Sequence, residues 1–148
     1  MKQLKIYLEN SVIGGYFDEV FEESTRILFE KFRNGEYLAV ISTHTYGELD
    51  NGAPDIVKSN LETIPYERID VTEEMAELTQ KYMNERIVSE AYRNDALHIA
   101  IATISGVDVL VSWNFKHIVN LNRIKLFNSV NLKEGYNLLE IRTPLEVI

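Results

Sequence analysis

Residues 37–41 read Tyr-Leu-Ala-Val-Ile, a continuous apolar run that follows Asn34-Gly35 and precedes Ser42-Thr43. A short run that is apolar at every position is typical of a strand covered on both faces, as in a parallel sheet. Asp-Val-Leu-Val-Ser at 108–112 has the same character. Because helical patterns separate the two runs, we predict an α/β fold with a mostly parallel sheet of four to five strands.

The remaining elements are predicted from weaker patterns on either side of these two strands. Further short strands are expected at Leu4–Leu8, Tyr66–Ile69 and Leu138–Ile141. Apolar spacing, caps and breakers predict the helices. They cover residues 21–34, a short helix capped by Ser42-Thr43, residues 55–62 after Pro54, a helix capped by Thr72, residues 96–104 ending at Gly106, residues 115–120, and a further stretch to Leu132.

The length and composition indicate one globular domain over residues 1–148, since chains divide into domains only well above this length. The chain has no cysteine, which excludes disulfides and thiolate metal ligands. The apolar run near the N-terminus is too short for a signal peptide, and no stretch is long enough to span a membrane. We therefore expect a cytoplasmic protein without a membrane partner.

The charge is divided unevenly along the chain. Residues 1–90 carry 9 basic and 18 acidic side chains, a net charge of −9, whereas residues 91–148 carry 6 basic and 5 acidic, a net charge of +1. An overall charge of −8 disfavours a nucleic-acid partner, because phosphate contacts need Lys and Arg. The second part still allows a local basic rim, and an acidic surface that only favours solubility is an equal alternative. The rim would consist of Arg93, Lys116, Arg123, Lys125 and Lys133.

Four polar residues lie where a strand is expected to end or a helix to begin: Glu9, Glu48, Asp95 and Asn114. Taken singly, each has an ordinary explanation as a helix cap, a first-turn acid or an exposed side chain. In parallel sheets, however, ligands bind beyond the carboxyl ends of the strands, where Glu9 and Asn114 are expected. Together the four would form an acidic pocket suited to Mg²⁺ or Mn²⁺, which prefer oxygen ligands.

The order and spacing of these residues resemble those of the PIN-domain ribonucleases, especially the VapC-like toxins of toxin–antitoxin pairs. The resemblance rests on Tyr-Leu-Glu-Asn-Ser-Val-Ile (7–13), Glu48, Asp-Ala-Leu-His-Ile-Ala-Ile-Ala (95–102) and Leu-Val-Ser-Trp-Asn-Phe (110–115). The family pattern has an acid after the first strand, a second on the following short helix, a third at a later helix start and a fourth after the fourth strand. Glu9 and Asn114 stand where the family usually has Asp, so the pocket would contain three carboxylates and one neutral amide.

The resemblance implies a PIN-like three-layer α/β/α fold and an Mg²⁺- or Mn²⁺-dependent endoribonuclease. Glu9 and Asp95 would be direct metal ligands, and Glu48 would bind through water or act as a base. Asn114 and Ser112 would position water, metal or phosphate, and Ser11 and Lys116 would contact the substrate. The resemblance also implies a homodimer whose site is covered by an antitoxin, with a basic side chain that enters the acidic pocket.

Two other functions are consistent with the sequence. The presence of Glu9 and Asn114 where the family usually has Asp would also fit a catalytically impaired PIN-like module that binds RNA or a protein partner. A receiver-like phospho-acceptor domain also has acids at strand ends, but its paired acidic motif is missing here. His98 lies within an apolar helix and is interpreted as a hydrogen-bonded core residue, and Trp113 as a residue that packs beside the end of the sheet.

Overall fold

The computed structural model describes residues 2–148 and contains one sheet of five strands, all of them parallel. The strands are β1 (Leu4–Leu8), β2 (Tyr37–Ser42), β3 (Tyr66–Ile69), β4 (Val109–Val111) and β5 (Ile141–Arg142). Their spatial order is β3-β2-β1-β4-β5. The prediction of a parallel sheet with four to five strands is confirmed.

Helices connect and cover these strands. They are α1 (Asn10–Gly15), α2 (Glu22–Arg33), α3 (Thr43–Gly52), α4 (Asp55–Leu61), α5 (Glu73–Asn84), α6 (Arg93–Ser105), α7 (Leu121–Lys133) and α8 (Pro144–Val147), with a 3-10 turn at Glu90–Tyr92. Within residues 2–148, none of the helices combines the length and the apolar character needed to cross a membrane. Gly106 ends α6 in the left-handed region, at φ 70°, as its position after the apolar helix predicted.

The two faces of the sheet pack against two separate hydrophobic cores, which gives three layers. Tyr7 and Leu110 point into the core formed with α5, α6 and α7. Ile6 and Leu8 point into the opposite core, formed with α1, α2 and α4. Successive residues of a strand face opposite sides, so a strand covered on both sides must be apolar at every position. This explains the unbroken apolar runs of β2 and β4.

The order of the strands determines where a ligand site can form. The chain builds β1, β2 and β3 outward in one direction and then returns to place β4 on the other side of β1. The carboxyl ends of β1 and β4 therefore lie side by side at the point where the direction of the sheet reverses, the usual ligand site of such sheets. Glu9 follows β1 and Ser112 follows β4.

Two predicted elements differ from the structure. Residues 115–120 form turns rather than a helix, because Asn114 closes a local turn: its Oδ1 accepts from the His117 N–H at 3.0 Å and its carbonyl from the Val119 N–H at 2.9 Å. The strand predicted at Leu138–Ile141 begins only at Ile141. The side chain of Asn128 binds both the N–H and the carbonyl of Leu139, at 2.7 and 3.1 Å, so this residue is held by α7.

Gly15 supplies a stability test of the packing beside the site. A Cβ at Gly15 would lie 2.9 Å from Cδ1 of Trp113, whose indole N–H donates to Thr25 Oγ1 at 2.9 Å. Because the buried indole would have to move, Gly15→Ala is expected to lower the free energy of unfolding by about 1–3 kcal/mol in urea denaturation. The matched control is Gly14→Ala, since a Cβ there meets nothing within 4 Å and stability should not fall. Equal stability of the two variants would contradict the predicted clash.

Candidate functional site

Glu9 links the end of β1 to the start of α1. It is the N-cap of α1 in extended conformation, and its carboxylate accepts from the Ser11 N–H at 3.1 Å and from the Ser11 hydroxyl. A carboxylate in this position satisfies a backbone donor that the helix leaves free. Glu9 is only 4% exposed, and burial raises the pKa of its carboxyl although the charge of His98 and the hydrogen bonds from Ser11 oppose the rise.

Ser11 and Ser112 join the ends of β1 and β4. The Trp113 N–H donates to Ser11 Oγ at 2.9 Å, and the Asn114 N–H donates to Ser112 Oγ at 2.9 Å. The two hydroxyl oxygens are themselves 3.4 Å apart. The loop after β4 is therefore held against the cap of α1, which brings Asn114 toward Glu9. In this arrangement the two serines hold the site together as well as lining it.

Asp95 lies in the first turn of α6, near Asn114. Burial raises the pKa of Asp95, while the charges of His98 and His117 and a side-chain hydrogen bond with Asn114 act against the rise. The structure thus places Asp95 near Asn114, another of the four predicted residues. Glu9 joins them through the serine hydrogen bonds.

Glu48 projects from α3 and is held by two histidines. Its Oε1 accepts from His98 Nε2 at 2.6 Å and lies 3.4 Å from His44 Nε2. Burial alone would raise the pKa of Glu48, but the hydrogen bond and charge of His98 and the charge of His44 hold it below its ordinary value. Glu48 is therefore ionised at neutral pH, and its side chain remains 32% exposed.

His98 occupies the centre of the acidic group. Its side chain is 2% exposed, and its Nδ1 is 2.7 Å from the Tyr7 hydroxyl, which in turn lies 2.8 Å from Ser42 Oγ. The expectation of a hydrogen-bonded, buried histidine is correct. Its bond to Glu48, however, was not predicted, and neither was any part for His44. The sequence signal for a role of His44 is its spacing from Glu48, since residues at i and i+4 lie on the same face of a helix.

An aromatic and basic rim adjoins Asp95. The ring of His117 stacks on Tyr92 with centroids 3.8 Å apart, and Lys116 Nζ lies 5.9 Å from the centre of the Tyr92 ring. Arg123 donates to the Lys116 carbonyl at 2.9 Å, which connects α7 to the same loop. Of the other rim residues, Arg93 forms a bidentate ion pair with Glu90. Lys116 is thus the predicted substrate residue that the structure places beside an aromatic ring.

The acidic residues at this edge have the donor chemistry of ligands for a divalent cation. The buried carboxyl of Glu9 and the half-buried carboxyl of Asp95 have raised pKa values because burial disfavours their charged forms. A cation bound at either carboxylate would offset that cost and favour its deprotonated form. Carboxylate and amide oxygens are also the ligands that Mg²⁺ and Mn²⁺ prefer. Glu9, Asp95 and Asn114 are the residues available to hold the ion.

Comparison with known proteins gives a structural likeness without a sequence match. No family model matches the sequence, and no curated protein matches it. Two of the similar solved structures are toxin–antitoxin complexes. VapBC2 from Rickettsia felis, bound to a DNA fragment from its promoter, is 16% identical with a TM-score of 0.59, over 93% of this chain and 98% of that one. A toxin–antitoxin complex from Klebsiella pneumoniae is 16% identical with a TM-score of 0.55, over 76% and 88% of the two chains.

A third similar structure is a single toxin. VapC20 from Mycobacterium tuberculosis, described as a toxin that cleaves the sarcin–ricin loop, is 14% identical with a TM-score of 0.58, over 76% of this chain and 92% of that one. At this level of identity the likeness concerns the fold. The five parallel strands, the flanking helices and these three neighbours together show that the chain has a VapC-like PIN fold with three α/β/α layers.

Proposed function

We propose that the protein is a metal-dependent endoribonuclease that hydrolyses RNA phosphodiester bonds, and that it is the toxin of a type II toxin–antitoxin pair. The observation that carries the proposal is the group of Glu9, Glu48 and Asp95 around His98 at the carboxyl edge of a VapC-like PIN fold. The buried carboxylate of Glu9 and the half-buried carboxylate of Asp95 lower the stability of the fold, so a functional role explains their presence better than a structural one.

The acidic residues have separate proposed roles, as metal ligands and as a base. Glu9 and Asp95 are proposed as direct ligands of Mg²⁺ or Mn²⁺, with Glu9 oriented by Ser11 and Asp95 by Asn114. A bound ion of this kind supplies charge for the phosphoryl oxygens and lowers the pKa of a bound water. Glu48, ionised at neutral pH, is available to accept a proton from that water, directly or through a second water.

Substrate contacts are proposed for the residues around the acids. Lys116 is suited to an RNA phosphate, and Tyr92 beside it presents a partly exposed ring on which a base can stack. Ser11 and Ser112 keep Asn114 in place, and Asn114 positions water, metal or phosphate. This local basic and aromatic rim offsets the acidic net charge of the chain where RNA would approach.

An antitoxin and a second copy of the chain are the proposed protein partners. Support comes from the neighbouring structures, two of which are toxin–antitoxin complexes. An antitoxin with a basic side chain would complement the acidic pocket and neutralise it in place of the metal. The expected assembly is a homodimer inhibited by such a segment.

A catalytically impaired module is the second candidate function, and a specific feature favours it. Both oxygens of Glu9 are engaged by Ser11, Glu48 is engaged by His98, and Asn114 is neutral. Calorimetric titration with Mg²⁺, which takes oxygen ligands, separates the two functions. The nuclease should bind Mg²⁺ at millimolar concentration or below, whereas the impaired module should show no binding in that range.

Replacement of Asp95 tests the nuclease directly. Asp95→Asn is expected to reduce Mn²⁺-dependent cleavage of RNA by about 100-fold or more, because metal coordination contributes several kcal/mol to transition-state stabilisation. Cleavage is measured on a labelled RNA with purified protein and with EDTA as the metal-free reference. Asp108→Asn is the matched control, since Asp108 lies at the opposite edge of the sheet, where it accepts from the Lys5 N–H at 2.8 Å. Equal cleavage by wild type and Asp95→Asn would exclude Asp95 from the site.

The buried carboxyl of Glu9 predicts a pH-dependent effect on stability. Its pKa is raised in the folded protein, so wild type binds the proton more readily folded than unfolded and gains stability as pH falls from neutral. In EDTA, Glu9→Gln is expected to be more stable than wild type at pH 7.5. The difference should shrink as pH falls toward the ordinary pKa of about 4.3 for a Glu side chain.

Urea denaturation at pH 7.5 and 5 measures this difference in the free energy of unfolding. Glu19→Gln, at an exposed position, is the control and should stay within about 0.5 kcal/mol of wild type at both values. If Glu9→Gln is less stable than wild type at pH 7.5, the carboxylate contributes more as the α1 cap than its burial costs.

A further inference from the structure

His44, Glu48 and His98 form a compact group that the acidic pocket does not account for. One ligand atom from each residue lies within 4.8 Å of the other two. His44 and Glu48 lie one turn apart on α3, and His98 reaches them from α6. We refer to these three residues as the His–Glu–His cluster.

We propose that the His–Glu–His cluster binds a first-row transition-metal ion of the Zn²⁺ type. Two imidazole nitrogens and one carboxylate oxygen are a ligand set of zinc and its neighbours in the row, whereas Mg²⁺ takes oxygen ligands. The site is distinct in chemistry from the oxygen-only pocket of Glu9, Asp95 and Asn114, and it shares only Glu48 with the proposed nuclease machinery.

His98 is oriented as metal-binding histidines usually are. Its Nδ1 is hydrogen-bonded to the Tyr7 hydroxyl at 2.7 Å, and that hydroxyl is 2.8 Å from Ser42 Oγ. A second partner on the far nitrogen fixes the ring and the tautomer, which leaves Nε2 for the ion. The Tyr7 hydroxyl is able to accept from Nδ1–H while it donates to Ser42, so Nε2 can give up its proton when a metal arrives.

An unpaired nitrogen of His44 supports the metal site independently. Its Nε2 is buried and has no hydrogen-bond partner within residues 2–148, although it lies 3.4 Å from Glu48 Oε1. A buried nitrogen without a partner costs free energy unless something binds it. The centroid of the His44 ring is 4.7 Å from that of His98. A metal ion would satisfy the free nitrogen.

The distances fit an ion after a small movement of Glu48. Donor atoms around tetrahedral zinc lie about 3.3 Å apart, given zinc–ligand distances near 2.0–2.1 Å. The 3.4 Å between His44 Nε2 and Glu48 Oε1 agrees with this, while the 2.6 Å hydrogen bond between His98 Nε2 and Glu48 would have to lengthen. The Glu48 side chain is 32% exposed, which gives it room to rotate and leaves the fourth position open to solvent.

Titration with Co²⁺ tests the proposal, because this ion replaces Zn²⁺ and gives visible absorption bands that report nitrogen coordination. The metal-free full-length protein is titrated and the bound Co²⁺ is then displaced with Zn²⁺. Wild type should bind Co²⁺, release it to Zn²⁺ and retain it in excess Mg²⁺. His44→Gln should weaken binding at least about tenfold. Tyr7→Phe, which removes the hydroxyl that pairs with His98 and Ser42 but none of the three ligands, should weaken it roughly 10- to 100-fold.

The third histidine of the chain provides the matched control. His117→Gln should keep the Co²⁺ spectrum and affinity of wild type, because His117 lies on Tyr92 outside the cluster. Circular dichroism of each variant verifies folding, and Tyr7→Phe serves if His44→Gln does not fold. Wild type that binds no Co²⁺, or equal affinity in wild type, His44→Gln and Tyr7→Phe, overturns the proposal.

Asp95→Asn separates this proposal from the nuclease function. The variant should retain Co²⁺ binding while it loses Mn²⁺-dependent cleavage of RNA. Loss of the Co²⁺ spectrum in Asp95→Asn with an unchanged spectrum in His44→Gln would place the ion in the acidic pocket and overturn the His–Glu–His site. That result leaves the proposed nuclease function intact. Conversely, wild type that binds Co²⁺ but cleaves no RNA supports the His–Glu–His site and contradicts the nuclease function.

Discussion

The pairing of β1 with two parallel neighbours controls the rest of this structure. β1 bonds to β2 on one side and to β4 on the other, with Tyr7 opposite Val40 and Leu110. All three strands therefore end at the same edge, and the residue after each end is brought into one crevice. The serine hydrogen bonds across β1 and β4 then tie the loops that carry Glu9 and Asn114. Without this pairing, the four polar residues would remain separate helix caps.

The electrostatics of the edge are unusual for a small domain. Three acids lie at this edge of the sheet, and burial raises the pKa of two of them, Glu9 and Asp95. His98 is the shared neighbour whose charge lowers the pKa of all three. The burial of Glu9 and the partial burial of Asp95 lower the stability of the fold, and perturbed pKa values of this kind are typical of functional sites.

Several features were predictable because they depend on neighbouring residues. Thr72 caps α5, Gly106 ends α6, and Glu9 and Asp95 occupy the helix starts at which they were expected. The turn at residues 115–120 and the late start of β5 were not. Both are decided by side chains, Asn114 and Asn128, that replace regular backbone hydrogen bonds with local or distant ones. The spacing of apolar residues carries no information about which side chains will form these hydrogen bonds in place of the backbone.

The sequence by itself determined the α/β class, the parallel sheet and the candidate acids, because apolar runs and caps act over a few residues. Only the tertiary structure decided which side chains meet. His98 comes from a helix 50 residues beyond Glu48, and its hydrogen bonds to Glu48 and Tyr7 exist because α3, α6 and β1 pack at one edge. The same packing leaves His44 with a free buried nitrogen beside them. Contacts of this kind depend on the close approach of distant segments, which periodicity along the chain does not encode.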